Sequence, residues 1–461
     1  MKTHKNWSYA PYKAPFLYTG DGDMYISRVV PTESSVTVEW LTVNGEKKAF
    51  IRERNIGEFQ CVGSTNGNAY TFTDLKPETD YELYIQAGDD KSRVRLVRTG
   101  KSVGTVVNYL HPEDEAYAFS GKYLCSPSLV RHPDGFLLAS MDLFCSGYPQ
   151  NLTLIFRSDD DGESWHYVSE LMPCFWGKLF VYEGAVYMLA VSTEYGDLLI
   201  GRSDDGGKTF TEPTVLFRGG NGKNSEAGVH KNPQPFMEYN GRLWHTVEWG
   251  AWGRGYHAAM VMSAPLGCDL LEADNWSFSE PIKYDPNWEG VPMGESAGNI
   301  EGQLVVIDGE LHSLMRYSME RLERKWGLIV DYKVNTEDPE APLTYCRCIE
   351  YPCNNSKFQI KYDEVSGKYY SIGSRIYDPE KIRARNLLSL LVSDDCINWR
   401  VLQDIIDMRD TDHNMIGFQY VDMMIEGDDI VFLCRTAING AHNFHDSNYC
   451  TFHRIKDFRK L

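Results

Sequence analysis

The sequence predicts an all-β chain: a six-bladed β-propeller preceded by a small β-sandwich. Three observations carry this expectation. Beyond Gly100 a unit made of an apolar hairpin and a third strand recurs six times. Ahead of it, from about Tyr25 to Thr99, short runs alternate apolar and polar residues between turn residues. Aromatic residues form 13% of the 461 residues, with 28 Tyr and 11 Trp, and these side chains favour the pleated, half-buried surface of a strand. The length suits a small domain ahead of a large one, and the division falls at Gly100, giving residues 1–100 and 101–461.

The strands of the first part are Ser35–Trp40, Lys48–Arg54 and Tyr81–Ile85. In the second part the hairpins run from Ser128 to Ala139, Leu179 to Val191 around Glu183-Gly184, and Pro235 to Val247 around Asn240-Gly241. They continue from Gln303 to Met315 around Asp308-Gly309, Phe358 to Ser371 around Ser366-Gly367, and Tyr420 to Leu433 around Gly427-Asp428. The X-Gly pairs suit tight hairpins, because Gly and Asn accept a positive φ. The last unit ends after Tyr449–Ile455 with three strands, so Gly104–Tyr109 is expected to supply the fourth. Both ends of the repeat region then share one blade, and the ring leaves few exposed sheet edges.

The formal charge of −19 and a pI near 5.1 exclude a nucleic-acid or anionic-membrane partner, which would select Lys/Arg stripes. An acidic substrate requires a locally basic pocket. No apolar run approaches the roughly 18 residues of a membrane helix. The start Met1-Lys2-Thr3-His4 lacks the apolar stretch and small-residue cleavage site of a secretory leader, so a cytoplasmic location is expected, with secretion only if a leader was trimmed away. The eleven cysteines are odd in number and scattered, which suits reduced thiols. Cys346, Cys348 and Cys353 lack C-x-x-C spacing, and no spacing in the chain calls for a metal or other cofactor. Composition sets no oligomeric state.

Two acidic turns share the pattern S-x-D-x-G-x-[ST]-[WF]: Ser158 to Trp165 and Ser203 to Phe210. A third, Ser393 to Trp399, is one residue short. Asp and Ser side chains can hold such a turn through local backbone N–H groups, with the aromatic packed between blades. The motif resembles the Asp-box, or BNR repeat, of sialidases and related propeller glycosidases, where it is structural and distant from the active site. Leu75–Tyr81, with Trp40, likewise resembles the tyrosine corner and core tryptophan of fibronectin type III domains, which implies an accessory module.

The sialidase resemblance implies a site at one end of the ring. Asn299–Val306 is similar to the strand whose glutamate assists a tyrosine nucleophile, which puts Glu301 in that role. Arg316 and Arg385 match two arginines of the family's carboxylate-binding triad. Gly417–Asp422 puts Tyr420 where the nucleophile sits, with Gln419 beside it as a substrate contact. A phenol is a poor nucleophile near neutral pH, so a carboxylate that takes its proton is needed, and paired arginines clamp a carboxylate bidentately. The chain also departs from the family. Tyr123–Ser128 lacks the first arginine of the triad, and Gln150-Asn151 stand where the acid/base aspartate is expected.

Other loops are expected at the mouth. His230 begins an inner strand with Lys231, Arg254 and His257 follow a second strand, and Arg435, His442 and His445 follow another. Imidazoles move protons near neutral pH, and cations hold a uronate or another acidic sugar. Trp176 and Trp252 are candidates for stacking on a sugar ring. The leading expectation is a glycoside hydrolase removing a terminal, acidic sugar from an oligosaccharide, with Tyr420, Glu301 and His230 catalytic. A lyase acting on uronate-containing glycans, where His and Tyr move protons, and a glycan-binding propeller without catalysis are the alternatives.

Overall fold

The computed structural model describes Trp7 and residues 24–41, 44–220, 222–291, 299–317 and 327–461. The first residues, read above for a leader, lie outside these.

Residues 26–98 form two antiparallel sheets. One joins Ile26–Pro31, Val36–Trp40 and Ala69–Phe72; the other is built on Lys47–Glu53 and Asp80–Ala87, flanked by Gln60–Thr65 and Arg95–Arg98. Strand alternation turns Val36, Val38 and Trp40 into the core between the sheets and leaves Thr37 and Glu39 partly exposed. The Tyr81 hydroxyl accepts a hydrogen bond from the Lys76 amide at 2.9 Å, pinning the turn that enters its strand.

Six further sheets follow in sequence, each ordered antiparallel from an innermost to an outermost strand. Their innermost strands are Tyr123–Arg131, Phe175–Tyr182, Gly228–His230 with Met237–Tyr239, Asn299–Ile307, Gln359–Asp363 and Gly417–Glu426. The innermost strand of the sixth sheet touches that of the first, so the ring closes. Its sixth sheet takes its outermost strand, Thr105–Tyr109, from the start of the repeat region, paired antiparallel with Tyr449–Ile455. The chain is an all-β propeller.

Local chemistry explains the hairpins and outer turns. Asp308 and Gly309, at φ 51° and 78°, form a two-residue turn whose twist matches that of its flanking strands. At the first acidic turn, Asp160 accepts the Ser164 amide at 2.9 Å and Ser158 Oγ accepts the Gly162 amide at 2.8 Å. Asp205 and Ser203 repeat both bonds with Thr209 and Gly207. In the shorter third turn, Asp395 instead takes the amides of Ile397 and Asn398. Trp165 packs against Phe452, which joins the first and sixth sheets. The eleven cysteines are free thiols.

The axis of the ring is plugged by polar side chains from the innermost strands. Asp422 receives Lys178 Nζ at 2.5 Å, Gln359 Nε2 at 2.6 Å and the Leu129 amide at 2.7 Å. This buried network ties four sheets together, and every one of its bonds joins a different pair of strands.

Candidate active site

A hollow of about 530 Å³ opens at one end of the ring, within the size range of small-molecule sites. Four of the innermost strands feed it through the same irregularity. The pairing register slips between Cys125 and Ser128, Phe175 and Lys178, Ile300 and Gln303, and Gln419 and Asp422. Within each slip one residue is left-handed: Ser126, Trp176, Glu301 and Tyr420, with φ between 47° and 58°. A bulge of this kind adds a residue to one strand and re-aims its side chain; all four of these residues line the hollow.

Neighbouring sheets hold three of these bulges in place. Lys231 Nζ bonds the Trp176 carbonyl, and the Gly177 amide donates to Asp142 at 3.4 Å. The Gly302 amide donates to Glu248 Oε1 at 3.2 Å, while Thr246 Oγ1 donates to the Gly302 carbonyl at 2.5 Å. Lys357 Nζ donates to the Val421 carbonyl at 2.6 Å. A left-handed non-glycine residue is costly, and such fixed partners over-determine it.

Two of the cations arrive from second strands, and Arg385 from just ahead of a third. Arg316 pairs in register with Ile300, next to Glu301, and Arg435 with Gln419, next to Tyr420. Arg316 Nη1 donates to Glu301 Oε2 at 2.5 Å and to the Tyr420 hydroxyl at 2.9 Å. The guanidinium carbons of Arg435 and Arg385 stand 5.1 and 5.8 Å from the Tyr420 ring centroid. Arg385 Nη1 bonds Gln419, and Arg435 Nη2 donates to the His445 carbonyl at 2.5 Å. Burial and the neighbouring cations lower Arg385 to about 10, so it is still charged at neutral pH.

Burial pushes the Glu301 carboxyl up, but Arg316, then His230, more than offset this and leave it below its ordinary value, ionised at neutral pH. The Tyr420 phenol is raised, first by burial and then by Glu301, with the three arginines opposing. It is therefore neutral at rest, beside a carboxylate able to take its proton. Burial also lowers His230 to about 4 and raises its partner Glu248 to about 8, with His230 Nδ1 2.6 Å from Glu248 Oε2. Burial thus favours the neutral form of both partners in this contact.

Of the residues expected at the mouth, Tyr420, Glu301, His230, Arg316, Arg385, Arg435, His445, Trp176 and Trp252 line the hollow together. Four others do not. Arg254 is exposed in the short helical turn Trp252–Arg254, where the chain turns outward after its strand. His442 is exposed too, stacked on the Tyr123 ring at 5.2 Å. His257 is buried behind the wall, its Nε2 3.3 Å from the Tyr195 hydroxyl and its ring against His230. Gln419 is buried one layer back, bridging Arg385 and the Phe444 carbonyl, because its bulge neighbour Tyr420 takes the forward direction.

Among the lining residues that were not anticipated are Glu194, Asn232 and Arg383. Asn232 is 3% exposed and neither of its amide atoms has a hydrogen-bond partner among the described residues, an arrangement that is costly unless a ligand completes it. Glu194 follows the second strand of its sheet, the position from which Arg316 and Arg435 also reach the hollow, and that shared position is the signal by which it was identifiable. Away from the hollow, His312, Asp331 and Cys346 bring metal-ligating atoms within 4.8 Å of one another, the one such group among the described residues. There His312 Nδ1 already bonds Asp331 at 2.6 Å.

The fold and the site define a β-propeller with a polar, sugar-sized mouth. No protein-family model matches the sequence, and no curated relative does. Among solved structures the chain is similar to an α-L-arabinanase of Penicillium chrysogenum complexed with arabinobiose, at TM-score 0.53 and 14% identity over 78% of this chain and 99% of that one. It is similar to the α-L-arabinofuranosidase Arb93A of Fusarium graminearum, complexed with an iminosugar inhibitor, at 0.52 and 12% over 77% and 98%. A Dyadobacter fermentans protein of unknown function matches at 0.50 and 12%, over 77% and 99%. At these identities the likeness establishes the propeller fold.

Proposed function

We propose that the chain is a glycoside hydrolase that removes a terminal, acidic sugar from an oligosaccharide, with Tyr420 as nucleophile. One observation carries this reading. The Tyr420 hydroxyl shares Arg316 Nη1 with Glu301 inside an open hollow. Attack of the phenol oxygen on the anomeric carbon needs its proton removed, and ionised Glu301 is the group beside it that takes one. Arg316, Arg385 and Arg435 offset the charge of a sugar carboxylate and of the phenolate as it develops. Trp176 and Trp252 offer apolar faces to the ring. The likeness in fold to an α-L-arabinanase and an α-L-arabinofuranosidase supports a carbohydrate substrate and adds arabinofuranose to the sugars worth testing.

The test is turnover of aryl glycosides of sialic acid, rhamnose, a uronic acid and arabinofuranose. Tyr420→Phe is expected to abolish the turnover seen with the wild type while leaving the melting temperature within a few degrees. Unchanged turnover in that variant removes Tyr420 from the mechanism. Appearance of an unsaturated-uronate absorbance from a polysaccharide would instead assign a lyase, in which the neutral His230 lining the hollow moves the proton.

A further inference from the structure

We propose that Glu194 is the acid that protonates the leaving-group oxygen in this hollow, an inference that rests on the hydrolase reading above. A sugar alkoxide is a poor leaving group, and neither Tyr420 nor Glu301 supplies its proton: the first attacks, and the second begins ionised. Among the described residues only two carboxyls line the hollow, Glu301 and Glu194. Glu301 is claimed by Arg316. Among the described residues Glu194 forms no ion pair; Gln150 Nε2, at 3.1 Å, is its hydrogen-bond partner. Burial raises its carboxyl above the ordinary range, with Gln150 opposing.

The ring's geometry separates the two carboxyls. Arg316, Arg385 and Arg435 belong to the fourth, fifth and sixth sheets, whereas Glu194 comes from the second, on the side of Trp176 and Trp252. A sugar whose carboxylate is held by the arginines thus turns its aglycone side toward Glu194. The loop is fixed. Thr193 Oγ1 donates to the Pro149 carbonyl at 2.5 Å, the Gly196 amide closes a turn on the Thr193 carbonyl at 2.8 Å, and the Tyr195 hydroxyl accepts the Trp252 amide. The first of these bonds ties Glu194 to the segment carrying Gln150, which stands where the sequence lacks an acid.

The steps balance. As the Tyr420 oxygen bonds to the anomeric carbon, its proton passes to Glu301, the glycosidic C–O bond breaks, and the Glu194 proton goes to the departing oxygen. Water then attacks the same carbon, giving a proton to Glu194, while the Tyr420–carbon bond breaks and Glu301 returns its proton to the phenolate.

The experiment compares phenyl and dinitrophenyl glycosides of the sugar that the wild type hydrolyses. Glu194→Gln is expected to lower kcat/KM for the phenyl glycoside by roughly 10²–10⁴-fold, the usual range for a lost general acid. The dinitrophenyl glycoside, whose leaving group departs without a proton, should change by only a few-fold. The alkaline limb of the pH profile should vanish in this variant. In Gln150→Leu, which removes the opposing hydrogen bond, that limb should move upward. Equal losses on both substrates, or an intact alkaline limb, would assign Glu194 a structural role and overturn the proposal. A wild type inert on the whole panel overturns the hydrolase reading itself, a different outcome from an active wild type with an indifferent Glu194→Gln.

Discussion

At the scale of single residues, the hollow works by separating charge states that water would not separate. Glu248 and Glu301 approach the same bulge, yet one is held protonated by burial and the other ionised by Arg316. Glu248 is therefore a positioning residue, with one oxygen on the Gly302 amide and the other on His230. Its folded value near 8 lies above the unfolded value of about 4.3. The native state keeps a proton that the unfolded chain loses, so this contribution is complete below about pH 4 and fades as pH rises to 8, by at most about 1.4 kcal/mol per pH unit. Glu248→Gln keeps a donor for His230 and an acceptor for Gly302 but cannot ionise. Denaturant midpoints should be similar for both proteins at pH 5, with the variant the more stable at pH 8.5; parallel curves would refute a protonated Glu248. The residues of this site were unevenly legible. Tyr420, Glu301 and Arg316 were found because their strands resemble a known pattern. Glu194 and Asn232 sit in segments without such a pattern, and the orphaned amide of Asn232 is a property of packing alone.

At the scale of elements, hairpins and bulges differ in how they are written. The hairpins were readable because X-Gly pairs with positive φ interrupt apolar runs. The bulges were not, because the inner strands are buried on both faces: all but one residue of Asn299–Ile307 is buried, so no alternation exists for a slip to break. The Asp-containing turns lie at the opposite extreme, since each is held by side chains from its own eight residues. The closing strand Thr105–Tyr109 was inferred from arithmetic, because the last unit was one strand short, and it pairs where that shortage placed it. Its Val106 and Val107 carbonyls also accept hydrogen bonds from Arg28, at 3.0 and 2.7 Å. Deleting residues 101–112 should therefore cost more than one strand: it opens the sixth sheet and removes the carbonyl partners of Arg28 Nε and Nη2. We expect loss of the cooperative thermal transition of the whole ring, read by circular dichroism. A truncated chain that keeps the full-length melting temperature would show that closure by this strand is dispensable.

At the scale of the whole molecule, the two-sheet unit and the ring are not beads on a string. One continuous apolar cluster runs from Val36, Val38 and Trp40 of the first part to Ile430, Phe432 and Tyr449 of the sixth ring sheet. Beside it Arg95 and Asp114 form an ion pair at 2.7 Å with both side chains almost wholly buried, and Arg95 Nη1 also donates to the Ile26 carbonyl at 2.8 Å. Sequence composition gave no sign of this coupling, because each half alone reads as a self-sufficient set of strands, and the cluster is made by residues more than three hundred positions apart in the chain. A division at Gly100 thus separates two sets of sheets without separating two cores. Truncating one partner of a buried pair leaves the other charge desolvated and costs roughly 3–5 kcal/mol. Asp114→Ala should accordingly lower the stability of the full chain by about that amount, and the shared cluster predicts how the loss is distributed. Calorimetry of the wild type should give a single transition whose van't Hoff and calorimetric enthalpies agree, and Asp114→Ala should shift that one transition downward as a unit. If the variant instead releases residues 26–98 in a separate low-temperature step while the ring melts at its original temperature, the apolar cluster does not couple the two parts.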